Sequence, residues 1–349
     1  MLRPRATITF TKTDGSNFQI KVFKGFETQE TYEMLTDKCS IIFPRKYQTM
    51  EGKDVFGGAD PILRRGDRVK IECGYYPNSR TVFEGYIRDV NANIPVEVFC
   101  EDEMFRLKKY TFSIPKTVPL ITTSKSGQYL KRAKVDTTRI KELKLKELLD
   151  IIIPDDIEYQ MADNINLGKL RISNMTPAEI LERIKREYGL YSKFRDGVLY
   201  VGFANDASVT NEETLVMEEM VINSNDLFYK RAEDVRIKVQ AISMDENNVR
   251  REAESGDEDG EQRTYHYYAM SQADLQKQAE KLVDEEKYTG YHGTIETFLE
   301  PYLRHGDRVN LQSKKIPERD GTYLVKSVRR LISTDRGGRQ ILELGAKVG

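Results

Sequence analysis

The side chains best suited to chemistry are few, and their spacing does not assemble a reaction centre. His266, His292 and His305 are the only histidines among 349 residues, and none stands at metal-ligand spacing from a cysteine or carboxylate. Cys39, Cys73 and Cys100 fall on the apolar phase of strand-like runs and read as small buried hydrophobes rather than a redox pair. No glycine-rich loop leads into a Lys-Ser/Thr pair, which removes support for nucleotide hydrolysis, and no Gly-x-Ser-x-Gly elbow occurs. With 56 acidic residues in the chain, any chosen pair of carboxylates is worthless as a glycosidase signal. The chain therefore reads as a non-enzyme, with no catalytic residue, no metal site and no cofactor.

One pattern recurs. Leu63-Arg64-Arg65-Gly66-Asp67-Arg68-Val69-Lys70-Ile71 returns as Leu303-Arg304-His305-Gly306-Asp307-Arg308-Val309-Asn310-Leu311. Related text follows each copy, Gly85-Tyr86-Ile87-Arg88-Asp89-Val90 and then Gly321-Thr322-Tyr323-Leu324-Val325-Lys326-Ser327-Val328. Gly66 and Gly306 suit a turn that other residues adopt poorly, and Asp67 and Asp307 can bond the backbone amides that follow. These four are structural turn residues rather than catalytic ones. His305 stands where the first copy has Arg65 and reads as a tolerated surface substitution. A unit that occurs twice predicts two copies of one β-domain with other material between them.

Composition bounds the rest. The length favours two or three domains, and a hydrophobic content of 39% with a charged content of 32% describes an ordinary soluble chain. A formal net charge of −1 argues against a protein that coats nucleic acid. No apolar run is long enough to span a bilayer. The N-terminus opens into a strand pattern without a signal-peptide core, which predicts folding in a cytoplasm.

The elements follow from patterning. Residues 1–112 alternate as strands at Ala6–Phe10, Phe18–Lys24, Cys39–Phe43, Arg68–Tyr75, Arg80–Val90 and Pro95–Glu101, with turns at Asp14-Gly15, Gly66-Asp67 and Pro77-Asn78. Residues 113–140, rich in Pro, Ser and Thr with a basic cluster at Lys131, Arg132 and Lys134, read as a connector. Residues 141–207 read as a small α+β domain: a helix over Leu145–Ile152, a strand over Gly168–Ile172, and a helix opened by Thr176-Pro177-Ala178-Glu179 and closed by Gly189. A hairpin follows over residues 190–202, turning at Asp196-Gly197. Residues 208–349 resume strands, including Asp234–Ser243, Thr264–Met270 and four more to Leu344, with an inserted helix near 271–287 capped by Ser271. The stretch Glu252–Glu261 holds six acids and no base and predicts a solvated loop. Tyr75, Tyr76, Tyr265, Tyr267 and Tyr268 could stack sugars or bases, although strand packing is the simpler role. The predicted fold class is mainly β with α+β insertions: two similar tube-like β-barrel domains plus a small α/β domain.

Three stretches resemble a known family. They are Arg65–Ile71 leading through Val82–Ile87 to Val98–Lys109, Met175–Leu181 through Tyr188–Leu190 to Gly197–Gly202, and the second Gly-Asp-Arg-Val strand. In these the chain resembles the baseplate hub (tail hub) proteins of contractile phage tails, including the late-control protein family of temperate phages, with relatives in type VI secretion and other contractile injection systems. The resemblance implies a homotrimer in which six barrels form a pseudo-sixfold ring. A hexameric tail tube protein would stack on one side and a trimeric spike protein on the other, with DNA or effector passing through the lumen without specific binding. It implies assembly in a bacterial cytoplasm and a place in a virion tail baseplate or injection-system baseplate. Alternative readings are a cell-wall-degrading hydrolase of a tail and a β-barrel carbohydrate-binding module.

Overall fold

A computed structural model describes residues 4–20, 23–31, 33–44, 63–91, 95–114, 143–161, 165, 167, 172–188, 190–202, 211–245 and 249–348. Most of the connector 113–140, with its basic cluster, lies outside these residues, as do Gly189 and most of the expected strand Gly168–Ile172.

Strands β1 (Pro4–Thr11) and β2 (Asn17–Ile20) form a hairpin about Asp14-Gly15, where Gly15 takes φ of 82° and Asp14 Oδ1 accepts the Ser16 amide at 2.8 Å. Then come β3 (Gly25–Thr31), β4 (Lys38–Phe43), β5 (Arg68–Tyr75), β6 (Arg80–Asn91) and β7 (Val96–Glu101). Helix α1 (Met104–Leu107) and β8 (Phe112–Ile114) precede α2 (Leu145–Ile152), β9 (Tyr159–Met161), β10 (Ile172–Met175), α3 (Pro177–Tyr188), β11 (Tyr191–Arg195) and β12 (Val198–Gly202). Next are β13 (Glu212–Val216), α4 (Met217–Met220), β14 (Val221–Asn223), β15 (Leu227–Lys230), β16 (Ile237–Met244), β17 (Arg250–Gly256) and β18 (Glu261–Tyr268). Helix α5 (Gln272–Glu286), β19 (Gly290–Thr297), β20 (Arg308–Gln312), β21 (Gly321–Ser333) and β22 (Gly337–Lys347) complete the chain.

These elements form two compact units. The first comprises residues 1–105, 207–234 and 288–349; the second comprises residues 106–206 and 235–287. Sequence boundaries placed 235–287 inside the second barrel with only one helix inserted. The structure instead groups that whole segment, three strands and α5, with the α+β segment.

In the first unit fourteen strands form one sheet, with the path β14-β19-β22-β21-β3-β4-β7-β6-β5-β1-β2 and with β13, β15 and β20 off it. Two separate tube-like barrels were expected, yet among the described residues no closed barrel is present. The two halves meet instead along β3 and β21. Each half still buries its own apolar cluster. One centres on Ile8, Phe10, Ile41, Phe43, Ile71 and Val98, the other on Ile295, Val309, Tyr323, Val325 and Leu342. Period-2 alternation explains the single dry face of most strands, as in β4, where Cys39, Ile41 and Phe43 are buried and their neighbours are not.

The second unit contains three small sheets, β8-β10, β9-β12-β11 and β17-β16-β18. Helix α3 begins with a complete capping box: Glu179 N–H donates to Thr176 Oγ1 at 3.2 Å, and Thr176 N–H donates to Glu179 Oε2 at 2.7 Å. The Thr176 amide and hydroxyl, both donating to Glu179 Oε2, hold that carboxyl below its usual range. Ser271 caps α5 by accepting the Asp274 amide, and Leu275, Ala279, Leu282 and Val283 are buried on the sheet of β16. The β11–β12 turn places Asp196 at φ 53° and Gly197 at φ 84°, the twist-matched conformation of a two-residue hairpin.

The expected acidic loop is not a loop. Most of Glu252–Glu261 lies in β17 and the short turn beyond it, and β17 pairs with β16 from Lys238↔Gly256 to Met244↔Arg250. Cations from β16, from β17 itself, from the residue before β16 and from the end of α5 make this possible. Lys238 pairs with Glu254 at 2.8 Å, Arg250 with Glu252 at 2.8 Å, Arg236 with Asp259 at 3.1 Å and Lys287 with Asp257 at 2.7 Å. Only Ala253 turns inward, at 4% exposure, so no acid in this stretch need be buried. The turn crosses the end of β16, and β18 then runs parallel to β16 on its other side.

Candidate functional site

The strongest constellation is the pair of Gly-Asp turns and the strands they position. Gly66 and Gly306 adopt φ of 95° and 86°, a region where a Cβ is strained. Each aspartate then reaches backward. Asp67 Oδ2 accepts the Arg64 amide at 2.8 Å, and Asp307 Oδ2 accepts the Arg304 amide at 2.8 Å. The sequence had assigned these carboxylates to the following amides; the geometry assigns them to the preceding ones, which closes a tight loop before the strand starts. Both aspartates are 4% exposed, and burial raises the Asp67 carboxyl above its usual range.

Each turn also clamps the strand opposite. Gly66 N–H donates to Ile87 O at 2.8 Å and Ile87 N–H donates to Asp67 O at 2.9 Å. In the second copy Gly306 N–H donates to Val325 O at 2.8 Å and Val325 N–H donates to Asp307 O at 2.8 Å. The likeness continues outward. Arg68 faces Tyr86 as Arg308 faces Leu324. The β6–β7 ladder breaks register between Ile87 and Asp89, and the β21–β22 ladder breaks between Val325 and Ser327. Beyond that, β4 lies on β7 as β19 lies on β22, and β3 lies on β4 as β14 and β15 lie on β19. One difference stands: β1 is antiparallel to β5, whereas β13 is parallel to β20.

The copies are joined by β3 and β21, in register from Thr31↔Ser327 to Gly25↔Ser333. At this seam the fully buried Arg330 guanidinium donates to Glu30 and to the Leu303 carbonyl. The Tyr302 ring covers it at 4.3 Å. His305 Nδ1 lies 3.8 Å from Glu30 Oε2, and at 5% exposure the residue is buried rather than the surface substitution expected from sequence. Burial works to raise the Glu30 pKa, but Arg330 and His305 outweigh it and hold the carboxyl at about 2. Sequence reasoning missed this cluster. Glu30 and Arg330 sit in runs that look like wet strand faces, and only the pairing of β3 with β21 turns both inward.

The opposite face of the same sheet is polar and neutralised by ion pairs. Arg329 meets Glu27 at 3.5 Å, Arg339 meets Glu296 at 3.7 Å, and Lys326 meets Glu343 at 3.0 Å. A shallow depression there is lined by Gln29, Asn223, Glu296, Arg329 and Glu343. Among the described residues no three His, Cys, Asp or Glu side chains gather as metal ligands, and no helix is long and apolar enough to cross a membrane. Of the tyrosines weighed as stacking platforms, Tyr75 packs on the first apolar cluster and donates to Gly338 O at 3.3 Å, while Tyr265 and Tyr267 pack on α5's cluster. Only Tyr76, 70% exposed, presents an open ring.

No protein-family model matches the chain, and no curated protein does. Solved structures do. A tail protein from Neisseria meningitidis MC58 aligns with a TM-score of 0.58 at 15% identity, over 99% of this chain and 97% of that one. The prophage MuSo2 43 kDa tail protein from Shewanella oneidensis aligns with a TM-score of 0.57 at 14% identity, over 98% and 96%. An Escherichia coli component of the type VI secretion system, described as structurally similar to the T4 bacteriophage tail proteins gp27 and gp5, aligns with a TM-score of 0.52 at 8% identity, over 93% and 73%. The fold is thus one found in phage tail proteins and in type VI secretion.

Proposed function

We propose that this chain is the structural hub of a tail or injection-system baseplate. Three copies assemble into a pseudo-sixfold ring between a hexameric tube and a trimeric spike. The observation that carries the reading is the internal seam: two halves of matching strand order are already joined edge to edge in one sheet by β3 and β21. A chain that contains two equivalent units converts threefold closure into six similar positions, which suits stacking against a sixfold partner. The tail fold of the solved structures supports the same reading.

The residues act here as scaffold. The Gly-Asp turns fix where β5 and β20 start, and the seam cluster fixes the angle at which one half meets the other. The ion-paired sheet face, with charges matched as at Arg329–Glu27 and Arg339–Glu296, is suited to a channel wall. DNA or an effector slides past a surface whose cations are already engaged, because phosphate affinity comes from available Lys and Arg.

Sedimentation or native mass measurement of the purified chain, alone and with its tube protein, tests the proposal. A trimer that recruits tube is the expected result. A persistent monomer that ignores the tube overturns it.

A further inference from the structure

The two halves are equivalent but their edges are not equally satisfied. Beyond Val325, β21 gives the edge next to its Gly-Asp turn to β3, beginning at Ser327↔Thr31. Beyond Ile87, the same edge of β6 has no strand on it among the described residues. The counterpart of β3 in the second half is β14 with β15, whose outer edge is likewise without a strand among the described residues. There two large apolar side chains are exposed, Ile222 at 41% and Phe228 at 57%. One half thus lacks a donor strand and the other lacks an acceptor. Within a single chain the same two features complete each other at the seam.

We infer that β15 of one copy pairs antiparallel with the end of β6 of a second copy, repeating between chains the β3–β21 seam found within each chain. The inference rests on the trimeric hub reading and supplies its interface. The ladders fix the register. Ser327 corresponds to Asp89 because each follows the bulge and faces Glu343 or Phe99. Ile295 corresponds to Ile41, since each faces the core residue Leu342 or Val98. Gln29 on β3 faces Lys38, and Phe228 on β15 faces His292, so Phe228 takes the place of Gln29 and Lys230 that of Thr31. Carrying over Ser327↔Thr31 and Arg329↔Gln29 gives Asp89 opposite Lys230, Val90 opposite Tyr229 and Asn91 opposite Phe228. That register sets an acid against a base and covers the exposed Phe228 ring. Asp89, 57% exposed at its side chain, now pairs with its neighbour Arg88 at 2.8 Å and can exchange that weak surface contact for a cross-strand one. The contact is head-to-tail, so it closes only as a ring, and closure leaves no edge to recruit further chains.

The test is thiol cross-linking in the full chain carrying Asp89→Cys and Lys230→Cys, using a short bismaleimide. The three native cysteines, all buried, stay in place. Covalent dimers and trimers with nothing larger are expected, and a control pair, Lys146→Cys with Lys230→Cys, should remain monomeric on a denaturing gel. As a second reading, D89K should raise the trimer dissociation constant at least roughly tenfold by setting two cations opposite each other, and D89K/K230D should restore it. A trimer by mass whose 89/230 cysteines fail to link, and whose assembly D89K leaves unchanged, overturns this contact while the hub reading stands. A monomer at every concentration overturns both.

Discussion

Glu30 and Arg330 are 300 residues apart in the chain and form a buried ion pair across the β3–β21 seam. Arg330 also donates through Nη2 to the Leu303 carbonyl, next to the Gly306 turn. The pair therefore ties together two strands and the turn that positions a third.

Removing one partner leaves the other charge buried and uncompensated. Arg330→Met should destabilise the first unit by about 3–5 kcal/mol, measured as a shift in urea midpoint at constant slope. Pairing it with Glu30→Gln should recover a large part of the loss. If the double variant is no more stable than the single one, the ion pair is not what holds the seam.

Acid sensitivity has a definite sign at the same place. The Glu30 carboxyl is held at about 2 against an ordinary 4.5, so it binds fewer protons folded than unfolded between those values. Its contribution is present above about pH 4.5 and is lost as pH falls toward 2. Unfolding monitored from pH 5 to pH 2 should show a decline that Glu30→Gln flattens.

Asp37 behaves in the opposite sense. Burial, then Asp102 and Glu30 nearby, push its carboxyl well above the usual range, so its folded form favours the proton. Stability from this group is present at low pH and is lost as pH rises through the raised value. Asp37→Asn should therefore raise the melting temperature at pH 8 and change it little at pH 4. Equal shifts at both pH values would rule out this account.

The two turns offer a matched pair of substitutions. Asp67→Ala and Asp307→Ala each remove a carboxylate that accepts a backbone amide at 2.8 Å and leave that amide unpaired. Each should cost about 1–3 kcal/mol, and the two losses should be similar and additive because the sites share no partner. Thermal unfolding of the single and double variants checks both statements.

Gly260 in the second unit is a sharper case. A Cβ there would meet the Ile237 backbone at 2.5–2.7 Å, where the connection between β17 and β18 crosses the end of β16. Gly260→Ala should lower stability by roughly 1–3 kcal/mol, since backbone cannot move aside as a side chain can. Hydrogen exchange should locate the loosening in β16–β18 rather than in the first unit.

How much of this was legible before the structure depends on where polarity and burial agree. Strands such as Arg68–Tyr75 and Cys39–Phe43 alternate cleanly, so the pattern places them to within a residue. The start of α3 was equally plain, because Thr176, Pro177 and Glu179 each satisfy a separate requirement of a helix N-terminus. Strand β3 was hidden because its inward positions are Phe26, Thr28 and Glu30, and polar residues on the dry side erase the alternation. Strand β17 was hidden for the converse reason: its acids looked too concentrated to pair until the fold brought Lys238, Arg236 and Lys287 alongside and set Arg250 against Glu252. The Gly-Asp repeat announced a duplication. It could not announce that the halves share one sheet, since β3 carries no repeat text and β21 carries it only at Ser327 and Val328, the first two residues of their contact.

The length of β21 has an evolutionary consequence. This one strand of 13 residues is ladder partner to β20, β22 and β3 at once. A single inserted or deleted codon in its middle would rotate every later side chain to the opposite face and carry Arg330 out among the solvent-facing charges. Sequence drift in β21 should therefore proceed by replacement and never by change of length, while the hairpin connecting it to β22 is free to grow or shrink.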